Sequence, residues 1–446
     1  MDHVGGRAWA GNDWLGVRTR VWALVATLIF LVTALAMAWH WDQRKVHQQH
    51  DVLFDTDTKS RLGCFANGWG GHGRNTVHPN LCNFVNPPIR ALAQLSPPGQ
   101  RPAQRERLAL WVAPLAGALT LGVMLLALRR GGVGSGQSLL LGGVLAASFS
   151  HLLFSSVPDH FALGGLSLTL ALWLFTDSLA GGPPRRSAWL AVAWLAAGIT
   201  LTNLIPVAGL HLLARWRSRG AATALWTSAA LVAVVVPATY ASALLLNLGY
   251  GLHGYEILLP TDGAGPIKSD PAHALLSFPL RVLQSFAPAG YEVTANPLSL
   301  REPHHYAIQF DLARQALPSL AGWLLGALVL ACVVLRWRQE GPQRTLLLGL
   351  VGLVLFNGLL HALIGSDYFL YSSHWTVATV LMLALPGPEL AAGLRRLHAG
   401  LLGLLVLALA ANSAQLFRAL DADLLLHWQP MTGQAAAAID AQESSR

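Results

Sequence analysis

Runs of about 18 or more apolar residues recur along the whole of this chain, and that length is what a helix needs to cross a bilayer. The segments fall at 20–41, 107–128, 136–157, 160–180, 188–214, 221–249, 317–335, 344–364, 374–392 and 398–418. With 53% hydrophobic and only 12% charged residues in 446, and a mean hydropathy of +0.46, a soluble globule is excluded. The expected fold class is an all-α polytopic membrane protein. The formal charge of +8 does not indicate a nucleic-acid partner, because the arginines sit in short clusters between the apolar segments. Such clusters set topology.

Those clusters are Arg7/Arg18/Arg20, Arg129-Arg130, Arg185-Arg186, Arg215/Arg217/Arg219, Arg336/Arg338/Arg344 and Arg395-Arg396. Placing them all in the cytoplasm gives strict alternation except at 188–214, whose two ends want the same side. One helix over that segment would run about 40 Å, beyond a ~30 Å hydrocarbon core, while two full crossings would be only about 20 Å each. A broken hairpin fits, with its tip at Thr202-Asn203 through Pro206 in the outer half of the membrane. Irregular backbone at that depth must be buried in protein or line a wet cavity. Counted as two passes, the hairpin brings the expected total to about 11 transmembrane helices, with the N-terminus cytoplasmic and the C-terminus outside. A single transmembrane domain then covers 1–420, with large periplasmic loops at 42–106 and 251–316 and a tail at 421–446. Within the second loop, Pro279 to Gln284 reads as a short interfacial helix.

The N-terminus has the look of a secretory signal, but the run from Val21 to Ala38 is long for one, so an uncleaved anchor is expected. Of three cysteines, Cys64 and Cys82 share the first outer loop and are expected to pair in an oxidising compartment, whereas Cys332 lies within a span.

The same loop holds the densest polar cluster of a charge-poor chain. Asp55-Thr-Asp57 is followed by Arg61, Arg74 and His78-Pro79. A hydroxyl nucleophile needs a positioned base, and a departing phosphate needs nearby positive charge. Asp57 is the expected base, with Asp55 as its neighbour, orienter or metal ligand. The alternatives are a solvated acidic pair or an N-cap for a helix through Ser60-Arg61-Leu62. Arg61 and Arg74 suit a carrier phosphate, since guanidinium binds phosphate bidentately, or else lipid headgroups. His78 suits a sugar or phosphate contact, or a turn. Asp159, beside His160, is either an N-cap or a rim acid facing a cavity. Asn203 marks the hairpin tip. Tyr371 and Trp375 are explained by interfacial anchoring, whereas His374 is a candidate donor to substrate. No zinc pattern, Walker A motif or dinucleotide fingerprint occurs, and His304-His305 lack the spacing of a helical metal pair.

Taken in order, Phe54-Asp-Thr-Asp-Thr58 with Arg61, Val77-His-Pro79, Ser156-Val-Pro-Asp-His-Phe161, Ala197 to Leu204, and Phe369 to Trp375 resemble strings in bacterial membrane glycosyltransferases of the GT-C superfamily. The resemblance covers residues 20 to about 392. It implies transfer of a sugar from a polyprenyl-phosphate carrier to a lipid, glycan or protein acceptor, outside the inner membrane. It also implies an acidic residue of the first outer loop as general base, with inversion at the anomeric carbon. Some members use a divalent metal on an Asp-X-Asp pair and others none. The protein mannosyltransferases carry adjacent Asp-Glu where this chain has Asp55-Thr-Asp57, which leaves the base and the metal open. A transporter or flippase, a glycan polymerase or ligase, and a non-catalytic assembly partner are the rival readings. Oligomeric state is not legible in the sequence.

Overall fold

A computed structural model describes residues 17–48, 52–54, 56–68, 77–183, 185–249, 270–295, 306–310, 317–364, 368–385 and 391–426. The chain is a multi-pass, almost wholly helical membrane protein. Among the described residues, seven helices are long and apolar enough to cross a membrane. Helix α1 (Val17–Gln43) is followed by three shorter helices in the first loop, α2 (Thr58–Asn67), α3 (Leu81–Ala93) and α4 (Arg101–Ala109). Then come α5 (Val112–Arg130), α6 (Ser135–Ala147), α7 (Phe149–Phe154), α8 (Phe161–Leu179), α9 (Arg186–Ile199), α10 (Leu204–Arg219) and α11 (Ala221–Gly249). The last part holds α12 (Pro271–Phe286), a two-stranded antiparallel ribbon of β1 (Glu292–Ala295) and β2 (Tyr306–Gln309), α13 (Leu320–Trp337), α14 (Pro342–Leu363), α15 (Thr376–Met382) and α16 (Ala392–Leu426).

Local chemistry explains where these elements start and break. Asp270 accepts the backbone N–H of His273 at 2.9 Å and so caps α12, whose first residue is Pro271. Ser148 adopts an extended conformation and divides α6 from α7 inside the segment expected to run unbroken over 136–157. Thr200, at φ −150 and ψ 114, ends α9 in the same way. The apolar faces divide between core and exterior. Leu121, Leu125, Leu172, Phe175 and Leu210 are buried in the main core, whereas α1 leaves Val21, Leu28, Ile29 and Val32 exposed as a lipid-facing helix would.

Residues 186–219 form the expected hairpin. Trp189 near the start of α9 lies 5.1 Å from His211 within α10, centroid to centroid, so the two helices fold back on each other about Thr200–Asn203. The tip is sewn to the first loop, where Asn80 N–H donates to Gly198 O and Leu201 N–H donates to Val77 O, both at 2.9 Å. The base of the hairpin lies at the opposite, arginine-rich end, where Asp177 at the foot of α8 takes Arg130 at 2.6 Å and Arg185 at 3.2 Å.

In the first loop α2, α3 and α4 pack a small core of Cys64, Phe65, Leu81 and Ile89. Three expectations are corrected. The span expected at 374–392 is helical only over Thr376–Met382 among its described residues, because the chain enters it through a tight turn over Phe369–His374. The tail expected from 421 begins inside α16, whose Asp421 binds Arg44 at 2.9 Å and thereby ties the last helix to the end of the first. The interfacial helix at 279–284 is longer than expected, spanning Pro271–Phe286. His304-His305 lie outside the described residues.

Candidate functional site

The polar residues singled out along the chain converge at the end of the bundle where the hairpin tip, the first loop and the Phe369–His374 turn meet. The segment just before α2 is held from below. Phe54 N–H donates to Ile308 O at 2.6 Å, and Ile308 N–H donates to Val52 O at 2.8 Å. The Phe54 ring packs on Phe310 and Phe369, with centroids 4.5 and 5.0 Å away. Phe54 has φ 52, a left-handed conformation that a bulky side chain holds only when its surroundings enforce it. The aromatic cluster supplies that enforcement.

Anchored in this way, Asp57 occupies the N-cap position of α2 but does not cap it through its side chain. Its carboxylate instead accepts Arg61 Nη2 at 2.7 Å, one turn along the helix. Arg61 is buried, with a side chain only 2% exposed, so the headgroup-anchor alternative is overturned. The Asp57 side chain is 40% exposed, and it is the member of the group open to an incoming molecule.

Behind this pair lies Asp159, wholly buried. The local reading of Asp159 as the cap of its own helix is corrected, because His160 occupies that position at the start of α8. The Asp159 carboxylate accepts the N–H of Asp57 at 3.1 Å and the N–H of His160 at 2.5 Å, and it stands 3.9 Å from Arg61 Nε. It therefore fastens two segments about a hundred residues apart. Burial pushes its pKa up to about 6, with the Arg61 charge and the two amides pulling the other way. His160 Nδ1 comes within 2.6 Å of Asp159 Oδ1 but off the direction of a hydrogen bond.

Three histidines line the same place. The His78 ring sits 4.2 Å from that of His160, and His78 Nδ1 is 2.7 Å from Ile199 O at the hairpin tip, which fixes Nδ1 as the protonated nitrogen. Burial drives the pKa of both well below the ordinary value, aided by the Arg61 charge. His374 closes the group from the Phe369–His374 turn, and burial lowers it to about 4. Each is a neutral imidazole at pH 7, able to donate one hydrogen bond and accept another.

Room for His374 is made by glycine. A Cβ on Gly164 would lie 2.7 Å from His374 Nε2 and 3.4 Å from Asn203 Nδ2, and one on Gly165 would lie 2.9 Å from Ser373 O. The Gly164-Gly165 pair in α8 thus lets the turn and the hairpin tip meet over one spot. Both ring nitrogens of His374 and the Asn203 amide nitrogen have no hydrogen-bond partner among the described residues, although both residues are buried. Next to them His361 stacks on Tyr371, with centroids 3.5 Å apart. Trp375, expected at a membrane interface, is fully buried and donates to Ser285 Oγ at 3.3 Å.

The structure therefore brings together Asp57, Arg61, His78, Asp159, Asn203 and His374. Asp55 and Arg74 lie outside the described residues. Cys64 and Cys82 are joined as a disulfide, with Cα atoms 5.3 Å apart, and it links α2 to α3 beside the site. Sequence reasoning passed over Gly164 and His361. The double glycine inside an apolar run was the available signal for the first, and His361 had none.

The divalent metal left open at Asp55 and Asp57 is not tested, because Asp55 lies outside the described residues. Among the described residues no group of three or more His, Cys, Asp or Glu is arranged to hold one, and the exposed carboxylate already faces a guanidinium. Compared with protein families, with curated proteins and with solved structures, the chain matches none.

Proposed function

We propose that this chain is an integral-membrane glycosyltransferase of the GT-C type, moving a sugar from a polyprenyl-phosphate carrier to a hydroxyl of a lipid, glycan or protein acceptor. The observation that carries the reading is one half-exposed carboxylate, Asp57, seated on a buried arginine and a buried second acid, beside His160 and His374, which have unpartnered ring nitrogens among the described residues. Asp57 takes the proton of the acceptor hydroxyl as its oxygen attacks the anomeric carbon. The bond from that carbon to the carrier phosphate breaks, with inversion, and the electron pair leaves on the phosphate. His374 and the Asn203 amide donate hydrogen bonds to the departing phosphate oxygens. Arg61 and Asp159 orient the base and do not touch substrate.

In the same reading the chain crosses the bacterial inner membrane eleven times, counting α9 and α10 as two passes. Its N-terminus is cytoplasmic and the site is periplasmic. Clustering of arginines at the end remote from Asp57 supports that orientation.

The test is glycan and glycolipid profiling of cells carrying the wild type, a deletion, or Asp57→Asn. One sugar-bearing species is expected to vanish in both altered strains while protein levels stay level. If the deletion removes a species that Asp57→Asn retains, Asp57 is not the base. If neither strain changes, transport or assembly replaces transfer.

A further inference from the structure

On the flank of α1 lies a cavity of about 470 Å³ between the last turns of α1, the short helix α4 and the start of α5. Its walls carry opposite charges. Asp42 comes from α1 and Arg107 from α4, with the Gln104 amide beside the arginine. Among the described residues no ion pair joins Asp42 to Arg107, and neither side chain has a hydrogen-bond partner. An acid and a cation that line one cavity, yet are left unpaired in a charge-poor chain, suit a ligand that carries both charges itself.

The remaining lining says where such a ligand resides. Leu35 and Leu108 supply apolar wall, while Trp39 and Trp111 border the cavity at 67% and 50% exposure. Exposed tryptophan beside charged side chains at the end of a spanning helix is the chemistry of a membrane interface, with apolar chains on one side and headgroups on the other. The same helix α1 exposes apolar residues along its length, as a lipid-facing helix would.

We infer that this groove binds a zwitterionic aminophospholipid, its primary ammonium on Asp42, its phosphate on Arg107 and Gln104, and the first methylenes of its chains on Leu35 and Leu108. A primary ammonium has N–H donors to offer a carboxylate, whereas a quaternary one has none, so phosphatidylethanolamine is preferred over phosphatidylcholine. Phosphatidylglycerol offers the phosphate without the cation and leaves Asp42 facing an anion. This site stands independently of the transferase reading.

Native mass spectrometry of the full chain in detergent, titrated with phosphatidylethanolamine, phosphatidylglycerol or phosphatidylcholine, tests the assignment. Wild type is expected to retain phosphatidylethanolamine about tenfold more tightly than either of the others, the effect of one charge-assisted hydrogen bond. Asp42→Asn is expected to erase the preference over phosphatidylglycerol. Arg107→Gln is expected to weaken both lipids together. Soluble phosphoethanolamine is expected not to displace the lipid at matched concentration, and displacement would mean that the chains contribute nothing and the occupant is a soluble molecule. Equal retention of the three lipids by wild type, or unchanged selectivity in Asp42→Asn, overturns the inference. Both positions line a surface groove, and an unchanged thermal midpoint shows that each variant is folded.

Discussion

Replacing Arg61 by methionine isolates the electrostatic core of the site. The guanidinium lies 2.7 Å from Asp57 and 3.9 Å from the fully buried Asp159 carboxylate. Removing one partner of a buried pair and leaving the other charged destabilises by about 3–5 kcal/mol. The amides of Asp57 and His160 both donate to Asp159, so their hydrogen exchange reports the opening of this unit directly. At pH 7.5 the expected loss of protection in Arg61→Met is roughly 10²–10⁴-fold. The double variant Arg61→Met/Asp159→Asn removes the stranded charge and is expected to recover most of that loss. The pH dependence has a definite sign. Asp159 has a folded pKa of about 6 against an ordinary 3.8, so its unfavourable contribution is absent below about pH 4 and complete above pH 6. That difference amounts to about 3 kcal/mol, already offset in part by Arg61, and without Arg61 the folded pKa rises further. The deficit in Arg61→Met should therefore shrink as the pH falls from that raised pKa toward 6. Equal losses in the single and double variants at pH 7.5 would refute the argument that Arg61 compensates Asp159.

His374 works with the opposite sign. Its pKa is lowered from 6.5 to about 4 in the fold, so the unfolded chain takes up the proton first and stability falls between pH 6.5 and 4 by about 3 kcal/mol. His374→Gln should flatten that acid limb in detergent thermal melts, and an unchanged limb would show that His374 is not held neutral. Gly164→Ala places a methyl 2.7 Å from His374 Nε2, so a loss of about 1–3 kcal/mol is expected by melting, together with reduced transfer in the profiling assay. Cys64→Ser/Cys82→Ser opens a loop closed across 18 positions and should lower stability by ~3 kcal/mol, with reductant having no further effect on the variant.

The sequence made the apolar helices legible because hydropathy is a local property, and it made the hairpin at 186–219 legible because a broken hairpin best fits a 27-residue run with arginine at both ends. Breaks inside buried runs were not legible. Around α15, Trp375, Val377, Leu381 and Leu385 are all buried, so a turn followed by a short helix reads like a full crossing. Asp159 shows the same limit at the site. Position after Pro158 suggests a local cap, but Asp159 also takes the amide of Asp57, a contact across the fold that no neighbour rule supplies. Asp57, Arg61 and His374 were identifiable as polar groups stranded in an apolar chain. Their mutual distances depend on Gly164 and Gly165, where the information is the absence of a side chain.

The order of the site's parts along the chain also bears on its biosynthesis. Asp57, Arg61, His78, Asp159 and Asn203 all come from the first half, whereas His374 arrives only after the 171 further residues that follow Asn203. At ~5–20 residues per second that is about 10–30 s of translation. Through that interval the seat over Gly164 is open, and a nascent chain halted before the Phe369–His374 turn presents the acid pair without its closing histidine.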